Sequence, residues 1–318
     1  MSTVGKAATL LRLAARADWP TIRERWRHYT APNRARRHGG RPFSHRDAGF
    51  PAVCHPDWPD SLAQFLSGGG DHWEMALLRR WLCPGDAAVD VGTNLGLYAF
   101  ALADRVGPDG EVLAVDADLM IVEKLQVAAR LLGARQLKPV QAAVADQSGS
   151  LTFYIRTDRS VTTEQSLQPS GELATGCTAV STPALTVADL HNRLHRGESL
   201  AAVKVDIEGA EAMAFRAVPP PLLRSDGPFW IVEIHPAALA RFGATPDEIV
   251  ARFPKDEYEL WLMPKHPFDP VGSPSTLRPL TGSERFADSI YYNLLAVPRG
   301  KRWQRRRLDI ADFLPLRG

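Results

Sequence analysis

The sequence is poor in cysteine, with Cys54, Cys83 and Cys177 as the three cysteines among 318 residues. An odd number without paired spacing argues against a disulfide-stapled scaffold and against a zinc ribbon. The chain also lacks an apolar run long enough for a transmembrane helix. Its first residues lack the apolar region and the cleavage site of a signal peptide. These absences predict a protein of a reducing compartment, with a cytoplasmic location as the default.

Excess charge of one sign is small, since 38 Lys and Arg oppose 36 Asp and Glu for a net charge of +2. The basic residues are concentrated at both ends of the chain. We predict a basic, Arg- and Pro-rich N-terminal arm at 1–65 that is partly helical or disordered, a folded domain at 66–299, and a basic tail at 300–318. Such runs are usually solvated, although they also bind phosphates or anionic lipid.

Apolar runs and helical periods alternate from residue 72 onward. A helix is predicted at 72–82, and principal strands at 87–91, 111–115, 137–144, 201–205, 230–234, 258–263 and 289–297. Short alternation of strand and helix predicts a parallel sheet with helices on both faces. The last two strands leave no room for a crossover helix. The predicted fold class is therefore α/β, a Rossmann-like sheet of seven mostly parallel strands with helices on both faces and a C-terminal antiparallel hairpin.

Residues 90–96, with the pattern D-x-G-x-N-x-G, leave the first strand and enter a helix. Gly92 permits a tight turn and a close approach to a ligand, and the helix start exposes unpaired N–H groups. In a dehydrogenase this end meets a pyrophosphate, which the carboxylate of Asp90 repels. An ammonium group is attracted instead. The turn therefore favours S-adenosylmethionine, with Asp90, Gly92, Asn94 and Gly96 as candidate cofactor-binding residues; a purely structural turn is the alternative.

Asp116 ends the second predicted strand. A carboxylate at this position accepts hydrogen bonds from the ribose hydroxyls of an adenosine. Because NAD, FAD and S-adenosylmethionine all contain adenosine, Asp116 indicates no more than an adenosine-containing cofactor. Asp118 is the local competitor for this role.

Carboxylates follow two further strands. Asp206 and Glu208 share one side if the fourth strand persists to residue 208, and Glu233 and His235 share a face at the end of the fifth. Two of these carboxylates could together hold a hard cation. Alternatively, one carboxylate or the histidine acts as a general base. We predict no metal site and leave metal dependence open. Glu211 fits a helix N-terminal acid that complements the helix dipole, and Glu208 has the same alternative explanation.

The sequence resembles the FkbM family of methyltransferases. The resemblance rests on residues 89–96 (V-D-V-G-T-N-L-G), 204–211 (K-V-D-I-E-G-A-E) and 232–234 (V-E-I). Trp73 and Glu74, before the first strand, also look like the leading helix of the family, which adds Glu74 to the candidate cofactor-binding residues. The resemblance covers residues 70–297 and leaves both basic ends unexplained.

This resemblance implies a class I methyltransferase fold, S-adenosylmethionine as donor, and O-methylation of a sugar, polyketide or similar small molecule. By position, Asp90 and Gly92 line the methionine end, Asp116 the ribose, and Ala143 and Val144 the adenine. The family usually has Glu-Pro after the second strand, whereas this chain has a shorter aspartate followed by alanine.

In-line methyl transfer requires alignment and desolvation, and an alcohol acceptor makes a base plausible. The candidate catalytic residues are Asp206, Glu208, Glu233 and His235. The acceptor is expected to contact two polar segments that are predicted as loops, 156–182 and 264–288, the second of which contains His266 and Asp269. The oligomeric state is open.

Three alternatives remain. The arginine-rich ends favour an RNA or other nucleic-acid methyltransferase, but the amino-methylating enzymes place N/D-P-P-Y/F after the fourth strand, where this chain has D-I-E-G. An NAD-dependent oxidoreductase requires G-x-G-x-x-G without the leading acid. A non-enzymatic binding module that keeps the nucleotide fold is the third alternative.

Overall fold

The computed structural model of the chain describes residues 37–39, 41–46, 49–56, 72–156, 167, 176–265, 277–282, 286–288 and 290–306. Residues 1–36 of the predicted N-terminal arm, His266 and Asp269 lie outside these residues.

The strands are β1 (Phe43–His45), β2 (Ala52–Cys54), β3 (Ala87–Val91), β4 (Glu111–Asp116), β5 (Leu137–Gln141), β6 (Ala143–Val144), β7 (Gly149–Arg156), β8 (Cys177–Leu185), β9 (Leu200–Val205), β10 (Phe229–Ile234), β11 (Tyr258–Lys265), β12 (Arg278–Pro279) and β13 (Tyr291–Pro298). The helices are α1 (His72–Trp81), α2 (Leu97–Val106), α3 (Leu119–Leu132), α4 (Val187–Arg193), α5 (Glu211–Arg216), α6 (Pro236–Arg241), α7 (Pro246–Val250) and α8 (Lys301–Arg305).

The main sheet has the strand order β12-β11-β13-β10-β9-β3-β4-β5. Neighbours from β10 to β5 are parallel, and β13 pairs antiparallel with both β10 and β11. The predicted α/β class, the parallel sheet and the terminal antiparallel pair are confirmed, and the two-residue β12 adds an eighth strand. Because the chain runs outward from β3 to β5 and then returns to β9, the switch point lies between β3 and β9, where open α/β sheets bind ligands.

The predicted third strand divides in two. β5 ends at Gln141, and β6 pairs with β8 in a separate three-stranded sheet of order β6-β8-β7. The backbone N–H of Ala142 still donates to the Asp116 carbonyl at 2.8 Å, whereas that of Ala145 donates to Leu185 at 2.9 Å. The prediction of a loop over 156–182 is wrong at its end, since residues 177–185 form β8; residues 157–166 and 168–175 lie outside the described residues.

The two faces of the sheet bury separate apolar cores. Helices α1, α2 and α3 cover one face, where Trp81 meets Phe229 edge-on at 4.6 Å between ring centroids. Helices α4 to α7 contribute to the core on the other face. Phe50 and Val53, within the predicted N-terminal arm, are buried in the first of these cores. The boundary at residue 66 stays a prediction.

The start of the basic tail is packed on the domain. Trp303 is buried, and its indole N–H donates to the Gly227 carbonyl at 2.8 Å. The guanidinium of Arg306 donates to both carboxylate oxygens of Asp86 at 2.6 and 2.8 Å. The interpretation of this run as a solvated arm is therefore wrong for Trp303 and Arg306, because the indole is buried and the guanidinium is bound to a buried acid.

Candidate functional site

The switch point brings together the segments that follow β3 and β9. Gly92 has φ +73°, and a Cβ atom there would lie 1.7 Å from the carbonyl oxygen of Asp206. The sequence connected Gly92 with the approach of a ligand. The structure shows that the chain's own backbone already requires glycine at this position. The segments that follow β3 and β9 are in contact here and leave no space for a side chain.

Asp90 is buried at the carboxyl end of β3. Its Oδ2 atom accepts a hydrogen bond from the Thr93 hydroxyl at 2.7 Å. Its Oδ1 atom lies 3.8 Å from Lys204 Nζ and accepts no hydrogen bond from the described residues. Burial raises the pKa of Asp90, while Lys204 and then Thr93 oppose that rise. Asp90 thus retains a buried acceptor atom.

Lys204 is a buried cation between two carboxylates. Its ammonium donates to Asp206 Oδ2 at 3.0 Å and lies 4.5 Å from the centroid of the Tyr98 ring. Sequence reasoning used Lys204 only as part of a motif and missed Tyr98. The position of Lys204 within the predicted fourth strand was the available signal. This strand lies beside β3, and the register of the pair places residue 204 next to Asp90.

Asp116 joins two turns at the end of β4. Its Oδ2 atom accepts from the backbone N–H of Asn94 at 2.9 Å, and its Oδ1 atom from that of Asp118 at 2.9 Å. Burial is the main cause that raises the pKa of Asp116 to about 7. Each oxygen keeps a second lone pair for another donor. The competitor, Asp118, instead caps α3 by accepting from the Met120 N–H at 2.9 Å.

The other predicted cofactor residues lie on three separate segments, the turn itself, β6 and α1. Gly96 has φ +89°, and Asn94 has φ 47° with a buried Oδ1 atom that lacks a hydrogen-bond partner among the described residues. Ala143 packs in a small apolar cluster, and Val144 packs in the core beneath the sheet. Glu74 is buried on α1.

The carboxylate of Glu74 accepts a hydrogen bond from the Asn293 side-chain amide. Asn293 faces Glu233 across the β10–β13 pair. Glu74 therefore supports the strand beside Glu233, and its direct contact with a cofactor stays a prediction.

The acidic segment after β9 does not continue as a strand. Because β9 ends at Val205, Glu208 lies in a turn, with φ 56°. Burial, then Asp206 and Glu211, raise the pKa of Glu208 to about 8. Arg241 donates to the carbonyl oxygen of Glu208 at 3.0 Å, which ties this turn to α6.

Glu211 is the first residue of α5, as its interpretation as a helix N-terminal acid predicted. One of its carboxylate oxygens accepts the backbone N–H groups of Ile207 at 2.9 Å and Gly209 at 3.2 Å. Burial is the main cause that raises its pKa to about 7. These bonds hold the turn that presents Glu208.

His235 and Tyr291 form an aromatic pair at the same sheet edge, with ring centroids 4.0 Å apart and an interplanar angle of 32°. Burial and then Arg241 lower the pKa of His235. Burial, then the charges of Glu208 and Glu233, raise the pKa of Tyr291. Three of the four candidate catalytic residues, Glu208, Glu233 and His235, thus lie around Tyr291. Sequence reasoning missed Tyr291 because β13 runs antiparallel to its neighbours, so that its first residue and not its last lies at this edge.

Residues 90–260 match the family model described as the methyltransferase FkbM domain. The chain belongs to the FkbM methyltransferase family. Its membership confirms the resemblance drawn from residues 89–96, 204–211 and 232–234. No curated protein sequence matches the chain.

Solved structures of other methyltransferases are more distantly similar to this FkbM chain. A precorrin-6y C5,15-methyltransferase from Geobacter metallireducens is 9% identical, covers 72% of this chain and 89% of its own, and has a TM-score of 0.40. An rRNA methylase from Streptococcus thermophilus is 13% identical, with coverages of 71% and 95% and a TM-score of 0.38. Fibrillarin from Aeropyrum pernix, solved with S-adenosyl-L-methionine, is 12% identical, with coverages of 70% and 74% and a TM-score of 0.33.

Two kinds of feature are absent from the described residues. No described helix combines the length and the apolar character that are needed to cross a membrane. Within the same ranges, no group of three or more His, Cys, Asp or Glu residues is placed to hold a metal ion.

Proposed function

We propose that this FkbM-family protein is an S-adenosylmethionine-dependent O-methyltransferase that acts on a hydroxyl of a sugar, polyketide or similar small molecule. The observation that carries the proposal is the pair of buried carboxylates, Asp90 and Asp116, at the ends of adjacent strands beside the switch point. An open α/β sheet binds its ligand at this place.

The hydrogen-bonding groups around the turn fit this donor. Asp90 Oδ1 and Asn94 Oδ1 are buried acceptors without a hydrogen bond from the described residues, and Asp116 has spare lone pairs. S-adenosylmethionine offers an ammonium group and two ribose hydroxyls as donors. A diphosphate would bring only acceptors and negative charge to the same acids. Together with membership of the FkbM methyltransferase family, this argues against an NAD-dependent oxidoreductase.

The donor-binding roles follow the strand ends. We assign Asp90 and the backbone of Gly92, Asn94 and Gly96 to the methionine end, and Asp116 to the ribose. Ala143 and Val144 would flank adenine through their backbone, since both side chains are buried among apolar residues.

The acceptor would lie against the cluster around Tyr291. S-adenosylmethionine supplies a methyl group that its sulfonium already activates, so the protein has to align a hydroxyl, exclude water and take up a proton. The most effective base has a pKa near the working pH. Glu208, with its pKa raised to about 8, meets that condition, whereas the carboxylate of Asp206 is paired with Lys204. The lowered pKa of His235 keeps its imidazole neutral, as a second acceptor of the proton.

A nucleic-acid acceptor fits the site less well. Nucleic-acid binding uses Lys and Arg to neutralise phosphates, whereas the side chains at the edge where the acceptor would be bound are the acids Asp206, Glu208 and Glu233. A cytoplasmic location stays a prediction.

Calorimetric titration with S-adenosylmethionine tests the donor. We expect binding by the wild type and an affinity at least tenfold lower in Asp90→Asn, because the variant keeps the shape of the side chain and loses its charge. Asp109→Asn is the matched control, since Asp109 is an exposed turn residue and its substitution changes the net charge equally. Absence of binding to the wild type at millimolar donor would overturn the proposal.

Methyl transfer is tested by measuring S-adenosylhomocysteine formation with panels of sugars, polyketides and RNA. We expect product only with hydroxylated small molecules, and loss of turnover in Glu208→Gln with donor affinity retained. Turnover with RNA alone would contradict the proposed acceptor class.

A further inference from the structure

Lys204 is the one described cation that lies within 4 Å of carboxylates on both sides of the switch point. Its Nζ atom is 3.8 Å from Asp90 Oδ1 and 3.0 Å from Asp206 Oδ2, and its side chain is 8% exposed. A lysine is almost never this buried unless it is paired. Its position on β9, between β3 and β10, makes it part of the sheet and not of a mobile loop.

Asp90 depends on this cation for its charge. Its carboxylate is fully buried, and its hydrogen-bonding partners among the described residues are the Thr93 hydroxyl and, with a smaller effect on its pKa, the backbone of Ala99. A buried carboxylate with so few donors tends to take up a proton, and an opposite charge within about 4–6 Å counteracts that tendency. Asp206 and Asp116 lie nearby and act in the opposite direction, because like charges disfavour ionisation. Lys204 is the group that most strongly opposes the rise in the pKa of Asp90.

We infer that Lys204 is a positioning residue for the donor: by neutralising Asp206 and attracting Asp90, it holds Asp90 as a carboxylate that receives the ammonium group of S-adenosylmethionine. Lys204 does not touch the donor in this scheme, since its ammonium would repel the donor's own positive charges. The Tyr98 ring, 4.5 Å from Nζ, stabilises the ammonium from another side. The inference rests on the proposed donor-binding function.

The sign of the pH dependence distinguishes this role from simple packing. In Lys204→Gln the midpoint below which donor affinity is lost should move to higher pH, by about one unit or more. Lys204→Arg keeps the charge and should keep the midpoint near that of the wild type. Asp206→Asn removes a like charge from Asp90 and should move the midpoint to lower pH.

Asp116 also titrates in this range, but its titration would not produce the upward shift of the midpoint that is expected from Asp90. Asp90 raises the pKa of Asp116. More protonation of Asp90 in Lys204→Gln therefore lowers the pKa of Asp116 and moves its contribution to lower pH. The α-ammonium of the donor titrates near its usual value of about 7.7–8.0 with every variant. A shift to higher pH therefore belongs to Asp90.

The experiment is calorimetry with S-adenosylmethionine from pH 5 to pH 8.5 on the full chain, with folding of each variant checked by circular dichroism. An upward shift in Lys204→Gln and a downward shift in Asp206→Asn support the inference. A uniform loss of affinity at every pH, or an unchanged midpoint, would overturn it. If Lys204→Gln does not fold, an unchanged midpoint in Asp206→Asn is by itself sufficient to overturn the inference. A wild type that binds no donor would instead overturn the proposed function.

Discussion

Substitution of Gly92 by alanine is the most direct test of how the strand ends are packed. The backbone at Gly92 has φ +73°, and an added Cβ would lie 1.7 Å from the Asp206 carbonyl oxygen and 2.8 Å from its carbonyl carbon. Both are backbone atoms, so no side-chain rotation relieves the overlap. Gly133, at the end of α3, is a matched control, since it has φ +64° and a Cβ there would meet nothing within 4 Å.

The expected losses follow from these two environments. A residue with a Cβ in the left-handed region costs about 1–2 kcal/mol relative to glycine, and this cost is common to both variants. Forcing an extra group into packed structure costs about 1–3 kcal/mol more. Gly133→Ala should therefore lower the free energy of unfolding by about 1–2 kcal/mol, and Gly92→Ala by about 2–5 kcal/mol.

The assay is urea unfolding followed by tryptophan fluorescence, together with calorimetry of S-adenosylmethionine binding. Gly92→Ala should also bind the donor at least tenfold more weakly, because the turn and the segment at Asp206 have to separate, whereas Gly133→Ala should bind it normally. Equal losses of stability in the two variants, with donor affinity unchanged in Gly92→Ala, would refute the tight backbone approach.

Three further outcomes are expected. Asp116 has a pKa of 3.8 before folding and about 7 after it, so the folded state binds more protons between these values. The free energy of unfolding should therefore fall as pH rises through this range. Urea titrations at several pH values should show that the free energy of unfolding depends less steeply on pH in Asp116→Asn. Trp303→Ala should lower the free energy of unfolding by about 3–5 kcal/mol, while Gln304→Ala, on an exposed residue of the same helix, should change it by less than about 0.5 kcal/mol. Glu74→Ala leaves the buried amide of Asn293 without this acceptor and should cost about 1–3 kcal/mol, whereas Glu74→Gln keeps an acceptor oxygen and should cost less; equal unfolding midpoints for the two variants would contradict the hydrogen bond.

Local sequence patterns predicted the parts of the fold that depend on residues close together in the chain. The helix starts at Thr186 and Thr245 form capping boxes with Asp189 and Glu248. Such caps join groups three residues apart, so the sequence alone is sufficient to find them. The parallel strands were equally visible, because strands that are buried on both faces are apolar throughout.

The positions of Asp90, Asp116 and Asp206 at strand ends could also be predicted, because parallel strands deliver their carboxyl ends to one edge of the sheet. The extent of the third strand could not. Leu137 to Val144 was predicted as one strand, and only the pairing of β6 with β8, which is distant in the chain, divides it.

The amino-acid sequence by itself determined the principal strands of the main sheet and which acids end the central strands, since these features arise from short-range periodicity and hydrogen bonding. The tertiary structure alone decided the shared cation at Lys204, the aromatic pair of His235 and Tyr291, and the support of Glu74 by Asn293, 219 positions away. It also decided the raised pKa values of Asp116 and Glu208. Burial and charge proximity are properties of the folded arrangement, and they depend on distances between residues that the order of the chain does not specify.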